Sequence, residues 1–261
     1  MSRKLIAMAT LFTVVALVSC EVTESVQQEE ISDTTLTQIR NLGFNTDNVI
    51  RTDGGYLVEG DILLHDHDLV GRPDAKTLRI AEVEQYHTFN LVNGPRTITI
   101  STSGRNVTTA LSNAVNAAIA RYNAENLGIT FTRVPSNGNI NISVVNTGQY
   151  IASAGFPSNG NPYPTISYAR TYTNYSLGFM TTVIAHEIGH CIGFRHTDYM
   201  NRAYSCGTGG NEGQATTGVG AVHIPGTPTG PDAASWMLAC LSSTTDRPFN
   251  NNDKTALNYL Y

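Results

Sequence analysis

Residues 186–198 read HEIGHCIGFRHTD, and three of the chain's seven histidines fall within the eleven positions from His186 to His196. The apolar periodicity of the preceding residues predicts a helix over 175–192. His186 and His190 lie four apart, so on that helix their imidazoles project from one face, one turn apart. Gly193 follows, and glycine tolerates the positive φ that commonly ends a helix. The chain can turn sharply there and bring His196 back towards the other two rings. A helix continued past 193 would carry His196 to another side of the axis. A long helix, a glycine turn and a returning segment are therefore required together.

Two imidazole nitrogens at this spacing reach a single zinc ion at about 2.0–2.1 Å, and His196 supplies a third. Three protein ligands leave a fourth tetrahedral position for water, the arrangement of a catalytic rather than a structural zinc. Glu187 is rotated by roughly 100° from His186 and reaches that water without being a ligand, as a general base would. A chance match to five fixed residues, three of them histidine, is on the order of one chain in 100,000 from ordinary residue frequencies. An amphipathic core helix with incidental histidines is the weaker reading.

The 261 residues suffice for one or two domains, and 41% hydrophobic with 14% charged residues describes a folded chain. A net charge of −5 without a basic patch argues against a nucleic-acid partner. Arg3 and Lys4 precede an apolar run over residues 5–18, short for a membrane span and ending in Ser19-Cys20. A small residue before cysteine at that place resembles the lipobox of bacterial lipoproteins, which implies acylation of Cys20. The expected location is the cell envelope, outside the cytoplasm, lipid-anchored in the outer membrane or at the cell surface. Of Cys191, Cys206 and Cys240, at least one must stay free or pair elsewhere. Cys206 with Cys240 is the expected disulfide, because both lie in the loop-rich region after the motif, and Cys191 reads as a buried thiol.

Further along, residues 21–32 read as a polar tether, 35–41 as a short helix, and 49–64 as a hairpin about Gly54-Gly55. Residues 66–86 are charged and carry no clear pattern. A strand at 98–101 precedes a helix over 106–126, whose Val107, Leu111, Val115, Ala118, Ile119 and Tyr122 share one face. Strands follow at 128–134, 139–145, 150–154 and 165–169. Residues 206–232 should be irregular, and 251–261 a closing helix. His87 and His223 read as ordinary surface or core histidines. Asn and Asp are plentiful, but no ordered Asp-rich loop supports a structural calcium.

His186, Glu187, His190, Gly193 and His196 resemble the signature of the metzincin metallopeptidases. The form HEIGH followed by CIGFRHTD is more narrowly similar to the bacterial dual-action HEIGH metallopeptidase family, close to the matrixins. The resemblance covers about residues 95–261 and implies an α+β, zincin-like domain: a small twisted mixed sheet, a backing helix and an active-site helix. It implies zinc-dependent hydrolysis of protein or peptide substrates, with one catalytic Zn2+ and a monomer. Met237, 41 residues after His196, is the expected turn methionine beneath the ligands; Met200 stands too close. Ile151, Ala152, Ser153 and Ala154 resemble the edge strand along which substrate lies extended. Ala239 stands where some members carry a tyrosine, so a tyrosine ligand is not implied.

The division expected is a signal peptide at 1–19, a tether and N-terminal segment at 20–94, and the peptidase domain at 95–261. By resemblance the N-terminal segment could keep the enzyme latent, with Asp53, Glu59, Asp61, His65 or His67 as donors to the fourth metal position. The simpler expectation is a hairpin packed on the domain with those charges solvated. The rival for function as a whole is a catalytically inactive lipoprotein of this fold acting as a binding protein or adhesin; retention of Glu187 argues against it.

Overall fold

Helix α3, Leu177–Ile192, is enclosed on all sides: every residue from 179 to 192 is buried. In a computed structural model the fold is described for residues 30–69, 85–208, 210, 218–228 and 231–261. The elements before α3 are α1 (Asp33–Asn41), β1 (Ile50–Thr52), β2 (Gly55–Val58), β3 (Ile62–Leu64), β4 (Tyr86–His87), β5 (Arg96–Ser103), α2 (Thr109–Asn123), β6 (Ile129–Arg133), β7 (Ile140–Val145), β8 (Ala152–Ser153) and β9 (Thr165–Ala169). After it come β10 (Phe194–Arg195), α4 (Ala203–Cys206), β11 (Val222–His223) and α5 (Asn251–Leu260).

The main sheet has the order β6-β5-β7-β9-β8, all neighbours parallel except the antiparallel edge strand β8. Alternation decides its faces. Ile140, Ile142 and Val144 of β7 are buried, as are Ile98 and Ile100 of β5, and all join the core beneath α2 and α3. The other face carries polar residues that bond across strands, Thr97 to Thr130 at 3.0 Å and Thr99 to Asn139 at 2.9 Å. A largely parallel sheet is thereby wetted on one side, where such sheets are usually covered on both.

Helix α2 backs the sheet with Leu111, Val115, Ala118, Ile119 and Tyr122. It begins later than its apolar spacing suggests because Thr108 caps it, accepting from the Leu111 amide. The Tyr122 hydroxyl donates to the Ala185 carbonyl at 2.7 Å, tying α2 to the residue before His186. A second small sheet, β10-β4-β11, pairs the strand following Gly193 with residues 86–87.

Residues 49–64 form a three-stranded antiparallel meander, β1-β2-β3, rather than a single hairpin. The extra strand exists because Glu59 and Gly60 both take positive φ, 57° and 92°, and reverse the chain a second time. With α1 the meander has its own apolar cluster, in which Ile39, Phe44, Val58, Ile62 and Leu64 meet Phe156 and Val219.

Candidate metal centre

Ser176 starts α3 by accepting a hydrogen bond from the Phe179 amide, and Gly193 ends it in the left-handed region at φ 114°. A Cβ on Gly193 would sit 2.8 Å from the Asn90 carbonyl oxygen, so both conformation and space require glycine. The reversal returns His196, and the three imidazoles converge with ring centroids 4.7, 4.9 and 5.2 Å apart.

Their tautomers follow from their partners. Nδ1 of His186 donates to the Trp236 carbonyl at 2.9 Å, and Nδ1 of His190 to the Phe194 carbonyl at 2.8 Å. A carbonyl only accepts, so each ring carries its proton on Nδ1 and aims the Nε2 lone pair inward. Both Nε2 atoms are buried and have no hydrogen-bond partner. His196 faces the Glu59 carboxylate with Nδ1 at 3.5 Å and Asp61 Oδ2 with Nε2 at 3.1 Å.

Asp61 completes the cluster: one ligand atom from each of Asp61, His186, His190 and His196 lies within 4.8 Å of every other, and all four residues are buried. Asp61 Oδ2 stands 3.4 Å from His186 Nε2. Two ligands in tetrahedral geometry, each 2.0–2.1 Å from zinc, are about 3.3 Å apart. Electron-pair donors crowded together away from water repel unless a cation lies among them. The donor set therefore fits a divalent ion, and its nitrogen and carboxylate chemistry suits zinc.

The expectation of solvated charges in the N-terminal segment is overturned for Glu59 and Asp61, whose side chains are 0% and 14% exposed. The tight reversal at Glu59-Gly60 turns both inward. Asp53, His65 and His67 do not join the cluster. His65 is engaged at both nitrogens, by the Gly54 carbonyl and the Tyr163 hydroxyl.

Burial would raise the Asp61 carboxyl, but the imidazoles gathered around it, His196 foremost, hold it well below its ordinary range. Glu187 behaves oppositely. Burial, and then the Asp61 charge, push its carboxyl well above the ordinary range, with His196 opposing. His190 is held well below the usual imidazole value by burial and by the neighbouring histidines, which favours the neutral ligand form. Beside Glu187 and His186 opens a cavity of about 200 Å³, walled by Ile151, Val183, Ala239 and Leu241.

Met237 lies under the helix between the first two histidines: a Cβ added to Gly189 would meet its sulfur at 2.6 Å. The turn around Met237 is clamped from both ends. Asp253 Oδ2 accepts from the Trp236 amide at 3.3 Å, and Asp198 Oδ1 accepts from the Ala239 amide at 3.0 Å. Sequence reasoning missed Gly189, Asp198 and Asp253. Asp198 and Gly189 stand inside the motif, and the glycine could have signalled a close approach. Cys206 and Cys240 are joined in a disulfide, and Cys191 is a buried free thiol. Ala152 and Ser153 form β8 at the sheet edge, flanked by Ile151 and Ala154. Cys20 and residues 1–19, the expected signal peptide, lie outside the described residues.

The family model described as dual-action HEIGH metallopeptidase matches residues 71–261. The chain belongs to that family. Its mixed α+β layout is that of a zincin-like peptidase, as the motif implied. Two solved structures of myroilysin are similar in part. One is 19% identical, covers 41% of this chain and 47% of its own, and has a TM-score of 0.33. The other is 14% identical, covers 66% and 96%, and has a TM-score of 0.45. The chain thus spans about half the length of the first. No curated protein matches it.

Proposed function

We propose that this HEIGH metallopeptidase is a zinc-dependent endopeptidase with His186, His190 and His196 as metal ligands and Glu187 as general base. The observation carrying this reading is the convergence of buried imidazoles, two with Nδ1 fixed by backbone carbonyls and Nε2 left for a metal. Bound zinc supplies Lewis acidity, polarising a carbonyl and lowering the pKa of water to about 7.

The chain's own groups do the rest. The Trp236 and Phe194 carbonyls hold the rings in their metal-binding tautomer. Glu187, its carboxyl pushed well above the ordinary range by burial and then by the Asp61 charge, takes a proton on its carboxylate and returns it to the leaving amine. Along the edge at residues 151–154, where residues 61 and 63 pair with Ala154, an extended peptide would take its backbone bonds, and the apolar cavity beside Glu187 would receive one of its side chains.

Because Asp61 shares the cluster, the test uses the full chain and its Asp61→Ala form, each loaded with zinc. Glu187→Ala should keep one zinc per chain and lower casein hydrolysis by about 10²–10⁴-fold, the usual contribution of a general base. Undiminished hydrolysis in Glu187→Ala would refute the role of Glu187. No hydrolysis in either loaded background would favour the inactive binding protein instead.

A further inference from the structure

Two irregular segments wall the cavity beside Glu187 on one side: Arg202, at the head of α4, and the run Ala239-Cys240-Leu241. Neither belongs to the main sheet or to a helix longer than four residues. Cys240 is held instead through each of its polar groups. Its amide donates to Ser205 Oγ at 3.0 Å, its carbonyl accepts from Arg247 Nη1 at 3.0 Å, and its sulfur is bonded to Cys206 of α4. The neighbouring Ala239 amide donates to Asp198 Oδ1 at 3.0 Å, and Ser205 donates to the other oxygen of that buried carboxylate at 2.5 Å. One disulfide and one relay through Asp198 and Ser205 thus join both segments to the turn after His196.

The floor under the histidines is secured separately. The Met237 amide donates to Ser235 Oγ at 3.2 Å, the Met237 carbonyl accepts from the Thr197 amide at 3.0 Å, and Asp253 accepts from the Trp236 amide. None of these bonds involves Cys206 or residues 239–241. Opening the bridge therefore leaves the supports of the histidines in place and frees the cavity wall. The bridge joins residues 34 apart in sequence, and the chain freedom a cross-link removes grows with the loop it closes. The hydrogen bonds to Cys240 are only partly buried, and each alone holds the wall weakly.

The wall matters because the cavity is small and apolar. Ile151, Val183 and Leu241 line it, and its volume is about 200 Å³. A cavity of about 150 Å³ holds benzene, so a phenylalanine side chain fits this one closely. Discrimination of about tenfold or more between apolar side chains depends on such a fit, and hence on walls that do not yield.

We infer that the Cys206–Cys240 disulfide is a specificity-determining element of the peptidase, fixing the wall of this cavity and with it a preference for a phenylalanine-sized apolar side chain. The inference deepens the reading of the site as a peptidase and rests on it. The bridge acts by positioning Ala239 and Leu241, not on the metal ligands or Glu187. A bridge serving stability alone would lower Tm when opened and leave the preference among substrates as it was.

The test compares the full chain and its Asp61→Ala form, each loaded with zinc, with the bridge closed and with it opened by a water-soluble phosphine. The phosphine takes the oxygen of one water and the two hydrogens leave both sulfurs as thiols, so the thiol count rises by two. Two hydroxamates report on the cavity without turnover, one bearing a methyl group and one a benzyl arm. With the bridge closed the benzyl arm should raise affinity about tenfold or more, and with it open about threefold or less. Peptides that differ only in phenylalanine or alanine beside the scissile bond should show the same loss of preference, carried by KM with kcat little changed. Amide exchange should quicken at Ala239 and Cys240 and stay slow over residues 186–190. Cys206→Ala should reproduce the opened state and respond no further to phosphine; reversible reduction of the parent gives the same comparison where that variant folds poorly.

A benzyl increment and a peptide preference that survive opening of the bridge would overturn the inference, as would a benzyl arm that gains nothing with the bridge closed. Release of zinc on opening would also overturn it, since the bridge would then support the metal floor. If the increment collapses on opening while no form hydrolyses peptide, the wall stands and the peptidase reading falls. If hydrolysis proceeds with increment and preference unchanged, the peptidase stands and the role of the bridge falls.

Discussion

Gly189 is the residue at which the geometry of the metal floor can be tested most directly. It stands between His186 and His190, and a Cβ built there would lie 2.6 Å from Met237 Sδ, 3.3 Å from Trp236 Nε1 and 3.4 Å from Met237 Cε. Optimal heavy-atom separation is about 3.5–4.0 Å, so the sulfur must retreat by about 1 Å. Met237 and Trp236 are both wholly buried, which leaves little room for that retreat. Overpacking of this kind costs about 1–3 kcal/mol. Against it stands the gain of about 0.5–1 kcal/mol from replacing glycine by alanine within a helix. Gly189→Ala should therefore destabilise the metal-free protein by about 1–2 kcal/mol and lower its Tm by roughly 2–8 °C.

The sign should change when the obstacle is removed. In a Met237→Ala background the clash with sulfur is gone, the helix gain remains, and Gly189→Ala becomes neutral or stabilising. Thermal unfolding of the parent, both single variants and the double variant gives the coupling energy, expected at about 2 kcal/mol. Metal affinity should fall about 10–100-fold in Gly189→Ala, because a displaced Met237 turn shifts the Trp236 carbonyl that orients His186. A coupling below about 0.5 kcal/mol, the scatter expected of independent sites, would show that Met237 does not press on Gly189.

Two other outcomes follow from particular residues. Burial pushes the Asp253 carboxyl up to about 7 against hydrogen bonds from Asn250, Ser235, Trp236 and Gln85. Its folded value exceeds the unfolded one, so the folded state holds the extra proton and stability falls as pH rises from about 4 through 7. Over that window the parent should lose roughly 4 kcal/mol relative to Asp253→Asn in denaturant unfolding, and a difference independent of pH would refute this. The lipid anchor proposed from the sequence predicts that Cys20→Ser moves the protein from the membrane fraction to the soluble fraction; unchanged partition would count against acylation at Cys20.

Local elements were readable wherever one short stretch carries its own physics. Residues 165–169 form a strand with the expected bounds, and β7 follows the alternation of Ile140, Ile142 and Val144. The motif helix ends at Gly193 because the turn needs a residue without Cβ, a requirement visible in the residue itself. The helix over residues 109–123 is shorter than its apolar stripe, since Thr108 caps it inside the periodic region.

What could not be read depends on residues that only the fold brings together. Asp253 supports the Trp236 amide from 17 residues away, and Asp198 reaches the Ala239 amide 41 residues on. No local pattern separates Asp61 from Asp53; both are acidic residues beside glycines. They diverge because Glu59 and Gly60 take consecutive positive φ and turn Asp61 inward, 125 residues in sequence from His186. The histidines announce a metal because their spacing is a property of one helix and one turn. The group opposite them is silent in sequence because its position is set by a second chain reversal packed against a distant strand. The three imidazoles are therefore more legible than the carboxylate beside them, because Asp61 joins their cluster only through the fold.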